Sequence, residues 1–162
     1  MYLAFITLGL CTAYFFLEHL FNLFFERHLA HVSKRTIGSV VAIILSSSLV
    51  YLITYLIPDV ELANRFLHMI GGGFLSVMVC FLVVKDSRIH ISKFQFFVFS
   101  FFIVTALGVG NEIMEFILQN YFSLVAATTI NDTWLDLISN LMGILAGSIC
   151  FTPFITDTID KS

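Results

Sequence analysis

The chain has 162 residues, of which 59% are hydrophobic and only 12% are charged, and its formal net charge is -3. A soluble domain is about 45–50% apolar and about 25% charged, so this composition excludes a soluble globule, and the negative net charge gives no sign of nucleic-acid binding. The three cysteines fall in separate apolar stretches, which favours small buried side chains over a disulfide framework. We therefore predict one membrane domain spanning residues 1–162.

Five apolar stretches are long enough to cross a bilayer, whose hydrocarbon core takes about 20 residues of helix. They are residues 2–24, 37–57, 62–84, 94–117 and 133–152. Membrane-spanning chains are helices or closed barrels, and these stretches lack the alternation of barrel strands. The predicted fold class is therefore all-α, a polytopic membrane bundle of about five helices. The first stretch has no basic start and no small-residue cleavage site, so we predict a retained span and not a signal peptide.

The basic residues of the connecting segments lie on one side of this five-span arrangement. They are Arg27, Lys34, Arg35, Lys85, Arg88, Lys93 and Lys161. The loops after the second and fourth spans contain no Lys or Arg. Because such residues mark the cytoplasmic side, we expect an N-terminus outside and a cytoplasmic C-terminus, in the plasma (inner) membrane.

Polar residues occur at the predicted outer ends of the third, fourth and fifth spans. They are Arg65 and His68, then Glu112 and Glu115, then Asp132, Asp136 and Asn140. A charged side chain in mid-membrane costs about 2.5–3.5 kcal/mol on insertion scales, and less near the interface. So many polar groups at matching depth predict a shared polar cavity facing the extracytoplasmic side. The fifth span continues inward with Gly143 and Gly147, whose spacing favours close helix packing.

The acids in this layer outnumber the cations, and an unpaired buried carboxylate tends to take up a proton. Either two acids therefore share or hold protons, or a bound cation completes the site. One histidine with several carboxylates suits Mg²⁺, Mn²⁺ or Ca²⁺ better than zinc. The candidate metal ligands are Glu112, Glu115, Asp136 and His68, and a divalent cation such as Mg²⁺ or Mn²⁺ is the candidate cofactor.

Several of these residues also have simpler interpretations. Asp132 could be only the N-cap of the fifth span. Arg65 could extend outward to lipid phosphate, and Glu115 could lie solvated in the headgroup zone. These alternatives stay open at the level of sequence.

Three motifs on consecutive spans resemble VanZ-like and YjdF-type small membrane proteins. They are "RFLHMIGGG" with Arg65, His68 and Gly72, "ALGVGNEIMEF" with Gly108, Glu112 and Glu115, and "DTWLDLISNLMGILAG" with Asp132, Asp136, Asn140 and Gly143. The resemblance covers residues 62–150. It implies a small helical membrane protein of the cell envelope, linked through the family's namesake with glycopeptide resistance.

We favour an envelope protein whose acid-rich cavity engages a lipid headgroup or a lipid-linked envelope intermediate. Its predicted substrate-binding residues are Arg65, Glu115, Asn140 and Asp132. The alternatives are a metal-assisted intramembrane hydrolase or transferase and a proton- or cation-coupled transporter. In the enzymatic alternative the candidate catalytic residues are Glu112, Asp136 and His68.

The sequence leaves open whether any reaction is catalysed. Membrane lipids are the expected partners, and a homo-oligomer is a further possibility. Residues 118–131 contain almost no charge, so a lid over the cavity is conceivable.

Overall fold

The computed structural model describes residues 2–24, 34–122 and 130–155. Five helices in these ranges are long and apolar enough to cross a membrane, which confirms the predicted helical bundle. Four are the single helices α1 (Tyr2–Phe24), α2 (Lys34–Tyr55), α5 (Lys93–Phe122) and α6 (Ile130–Phe151). The third span joins α3 (Val60–Phe66), a π-helical segment (Leu67–Phe74) and α4 (Leu75–Asp86). A 3₁₀ turn, Thr152–Phe154, follows α6.

Some helices extend beyond the predicted spans. Helix α2 begins three residues before position 37, α5 continues to Phe122, five residues past the predicted end, and α6 begins at Ile130. A helix of 30 residues is about 45 Å long, so α5 is longer than a hydrocarbon core of about 30 Å. The interpretation of Asp132 as an N-cap is wrong, because this residue lies in the first turn of α6. In the segment 118–131, for which a lid was left open, positions 118–122 and 130–131 are helical, while 123–129 lie outside the described residues.

Two helix starts are determined by local hydrogen bonds. The side chain of Asp59 accepts a hydrogen bond from the Leu62 backbone N–H at 2.8 Å and caps α3. Helix α5 opens with a capping box, in which the Ser92 N–H donates to Gln95 Oε1 at 2.8 Å and the Gln95 N–H donates to Ser92 Oγ at 3.2 Å. These caps define where the third and fourth spans begin.

The third span is the centre of the bundle. Within its membrane-spanning window 44% of residues are buried, against 17–28% in the other four spans, and it contacts all of them. Val77, Cys80 and Val83 in α4 are fully buried. Large apolar side chains such as Phe102 and Ile149 are exposed on the outer helices, as expected for surfaces that face lipid.

Glycines bring the π-helical segment and α6 into backbone contact. A Cβ atom added at Gly73 would lie 2.8 Å from Gly143 Cα, and one added at Gly143 would overlap the Met69 carbonyl oxygen. One added at Gly147 would lie 3.0 Å from Val77 Cβ. The predicted close packing through "GILAG" is therefore confirmed, and its partner is the π-helical segment together with the start of α4.

Candidate polar site

Arg65 joins the third span to the start of α6. Its two terminal nitrogens form ion pairs with Asp132 and Asp136, and one of them also donates to the Asp132 carbonyl oxygen at 3.2 Å. The two aspartates are four residues apart, which places them on one face of α6. Asp136 is only 1% exposed. The guanidinium is thus held inside the bundle, in contrast to the alternative in which Arg65 extends outward to lipid phosphate.

Asp136 is contacted from three positions on the third span. Besides Arg65, Asn64 donates from Nδ2 to Asp136 Oδ1 at 3.2 Å, and His68 Nε2 lies 3.4 Å from the same oxygen. Sequence reasoning missed Asn64. Its position four residues before His68, on the same face of a helix, was the available signal.

His68, Glu112 and Glu115 form a second group next to this one. Each offers one potential ligand atom, and these atoms all lie within 4.8 Å of one another. His68 Nδ1 is 4.0 Å from Glu112 Oε1. Asn111 donates to Glu115 Oε1 at 2.7 Å, which orients that carboxylate. The structure therefore brings together three of the four predicted metal ligands. The fourth, Asp136, lies on the Nε2 side of His68.

Glu112 is the buried acid of the site whose carboxylate oxygens both lack a hydrogen-bond partner in the described part of the chain. It is 8% exposed. A buried carboxylate without a partner is costly, and the guanidinium of Arg65 is already engaged by two aspartates. Glu112 thus either holds a proton itself or takes a positively charged or proton-donating partner.

Asn140 lies one turn further along α6 and is buried against two glycines. A Cβ atom at Gly108 would lie 3.4 Å from Asn140 Nδ2, and one at Gly72 would overlap Asn140 Oδ1. This oxygen has no hydrogen-bond partner in the described ranges. One residue from each of the three sequence motifs therefore meets here. We use "polar site" below for Arg65, His68, Glu112, Glu115, Asp132, Asp136 and Asn140.

A second polar network, which sequence reasoning also missed, lies at the other end of the third span. Asp86 Oδ2 accepts hydrogen bonds from Tyr14 Oη and Ser39 Oγ, each at 2.6 Å. Asp86 follows Arg65 by 21 positions, or about 30 Å along a helix, so the two networks are separated by roughly one hydrocarbon core. Because this aspartate is hydrogen-bonded to both α1 and α2, we interpret the network as structural.

The chain is similar to one family of known sequences. Residues 4–156 match a family described as "Predicted membrane protein (DUF2238)". No curated protein and no solved structure matches the chain. The family match supports a membrane protein, and the finer resemblance to VanZ-like and YjdF-type proteins stays a prediction, as do the roles of the individual residues.

Proposed function

The chain belongs to this family of predicted membrane proteins, and we propose that its polar site engages the headgroup of a membrane lipid or of a lipid-linked envelope intermediate. The observation that carries the proposal is the buried carboxylate of Glu112, which lacks a hydrogen-bond partner among the described residues. Such a group is neutralised either by taking up a proton or by pairing with a cation or a proton donor, and a ligand entering from the bilayer would supply such a partner.

The donor side of the site fits a phosphate-bearing headgroup. The terminal nitrogens of Arg65 are engaged by Asp132 and Asp136, but its Nε has no hydrogen-bond partner in the described part of the chain. Arginine has five N–H donors, and the Nε–H is one that stays available for a phosphate oxygen. Asp132 accordingly acts by holding the guanidinium in place. The resemblance to VanZ-like proteins, which implies a protein of the cell envelope, names no ligand but is consistent with this setting.

The site is proposed to face the extracytoplasmic side of the plasma membrane. The support is the distribution of Lys and Arg in the connecting segments, which marks the opposite side as cytoplasmic. Membrane lipids would then reach the polar site laterally from the outer leaflet.

Native mass spectrometry of the purified protein, with phosphatidylethanolamine or phosphatidylglycerol added, tests the proposal. We expect wild-type protein to retain a phospholipid and Glu112→Gln to retain it at least about tenfold less, because truncating one partner of a buried charged contact costs about 2–5 kcal/mol. Glu61→Gln is the matched control. The Glu61 carboxylate lies 3.8 Å from Arg65 Nη2, but its side chain is 74% exposed. Equal lipid retention by wild type and Glu112→Gln would contradict the proposal.

A second candidate is a metal-assisted hydrolase or transferase, favoured by the His68, Glu112 and Glu115 group. In this case Glu112 and His68 would act at the reacting atoms, and Asp136, held by Arg65, would position His68. Incubation with the same phospholipids distinguishes the two functions. If the wild-type protein cleaves the lipid and Glu112→Gln does not, the result supports an enzyme. If the wild-type protein retains the lipid intact, the result supports a binding protein.

A further inference from the structure

We propose that His68, Glu112 and Glu115 bind one divalent metal ion, with Mn²⁺ the best-matched ion. The proposed ion lies within the polar site. Its binding does not depend on the proposed lipid ligand, and only the contact between the ion and a lipid phosphate rests on the proposed function. Its geometric basis is a set of three potential ligand atoms, all within 4.8 Å of one another, contributed by two spans that meet at this point.

His68 is oriented as metal-binding histidines commonly are. Such a histidine usually directs its second ring nitrogen to a carboxylate, which fixes the orientation of the ring. Here Nε2 lies 3.4 Å from Asp136 Oδ1, and Nδ1 faces Glu112 Oε1 at 4.0 Å. A separation of 4.0 Å is too long for a hydrogen bond. Metal–ligand bonds of about 2.0–2.2 Å bridge it at a wide angle at the ion, which a small rotation of either side chain narrows. The ring therefore presents Nδ1 to the proposed ion.

The two glutamates supply the negative charge that a divalent ion requires. Both oxygens of Glu112 are buried without a hydrogen-bond partner among the described residues, so this carboxylate is available for coordination. Asn111 holds Glu115 Oε1 and thereby orients the carboxylate. Arg65 cannot serve as the counter-charge in place of a metal, because Asp132 and Asp136 occupy its terminal nitrogens.

The ligand types select among divalent ions. Carboxylates suit Mg²⁺, Ca²⁺ and Mn²⁺, whereas imidazole suits transition metals. Mn²⁺ accepts both kinds of ligand, and three protein ligands leave positions for water or for a phosphate oxygen. If a lipid headgroup binds, its phosphate would thus reach Glu112 through the ion.

Mn²⁺ binding to the metal-free, purified full-length protein tests the inference. Titration followed by the electron paramagnetic resonance of free Mn²⁺ should show one bound ion per chain. Electron spin-echo modulation should show coupling to one ¹⁴N nucleus, from the imidazole. Glu112→Gln should weaken binding by at least about 100-fold, since loss of even an outer-shell partner costs about 10–100-fold. His68→Gln should abolish the nitrogen coupling.

Glu61→Gln, which removes an exposed carboxylate outside the ligand group, should leave both signals unchanged. Unchanged helical circular dichroism and a monodisperse gel-filtration peak identify the variants that remain folded. The inference is wrong if folded wild-type protein binds no Mn²⁺, or if the ion shows no nitrogen coupling. Lipid retention with and without EDTA separates the two proposals. If the protein binds no Mn²⁺ and retains lipid equally with and without EDTA, only the metal site is overturned. If it binds Mn²⁺ but retains no lipid, only the lipid proposal is overturned.

Discussion

The backbone contact between the π-helical segment and α6 predicts a large effect of Gly143→Ala. The new Cβ atom would overlap the Met69 carbonyl oxygen and lie 2.8 Å from the Met69 carbonyl carbon and 2.9 Å from the Phe74 backbone nitrogen. All three are backbone atoms, so no side-chain rotation relieves the overlap. Favourable carbon contacts lie at about 3.5–4.0 Å, so the helices must separate. Overpacking typically costs about 1–3 kcal/mol and occasionally more, and we expect a loss of about 3 kcal/mol.

Unfolding in mixed micelles, titrated with dodecyl sulfate and followed by circular dichroism, measures this loss. Gly110→Ala is the matched control, because a Cβ atom at Gly110 meets no other atom within 4 Å, and replacing a helical glycine by alanine stabilises by about 0.5–1 kcal/mol. Mn²⁺ binding should also weaken in Gly143→Ala but not in Gly110→Ala, since His68 directly precedes the displaced Met69. If the two variants unfold at the same detergent fraction, the proposed role of the backbone contact is refuted.

Three further predictions concern other parts of the bundle. Arg65→Gln should lower the free energy of unfolding by about 3–5 kcal/mol, because it leaves two aspartates without their cation; the same micelle titration, with Glu61→Gln as a near-neutral control, checks this. Tyr14→Phe should cost about 1–3 kcal/mol, because it removes the hydrogen bond from the buried Tyr14 side chain to Asp86, and an equally stable variant would show that this bond contributes nothing. A reporter fused after Ser162 should be active in the cytoplasm, and an external signal would overturn the predicted orientation.

The arrangement of the polar site could be predicted in part from helix length alone. Counting residues at about 1.5 Å each placed Arg65, Glu112 and Asp136 in one layer, and the structure brings the three spans together there. The same counting did not show that Arg65 pairs with both aspartates, or that Asp136 and Glu112 face opposite ring nitrogens of His68. Depth depends on position along a helix, whereas pairing depends on rotation about its axis and on which neighbour it meets.

The membrane setting, the five helices and most of their extents were determined by the sequence itself. Length and apolar content are local properties, and in a bilayer each helix satisfies its own backbone hydrogen bonds. Three features are visible only in the folded bundle: "LHMIGGGF" is π-helical, Gly73 meets Gly143, and Asp86 links α1 and α2 to the third span. The physical reason is that these features depend on how closely neighbouring helices approach. That distance is determined jointly by glycines and side chains that lie far apart in the chain.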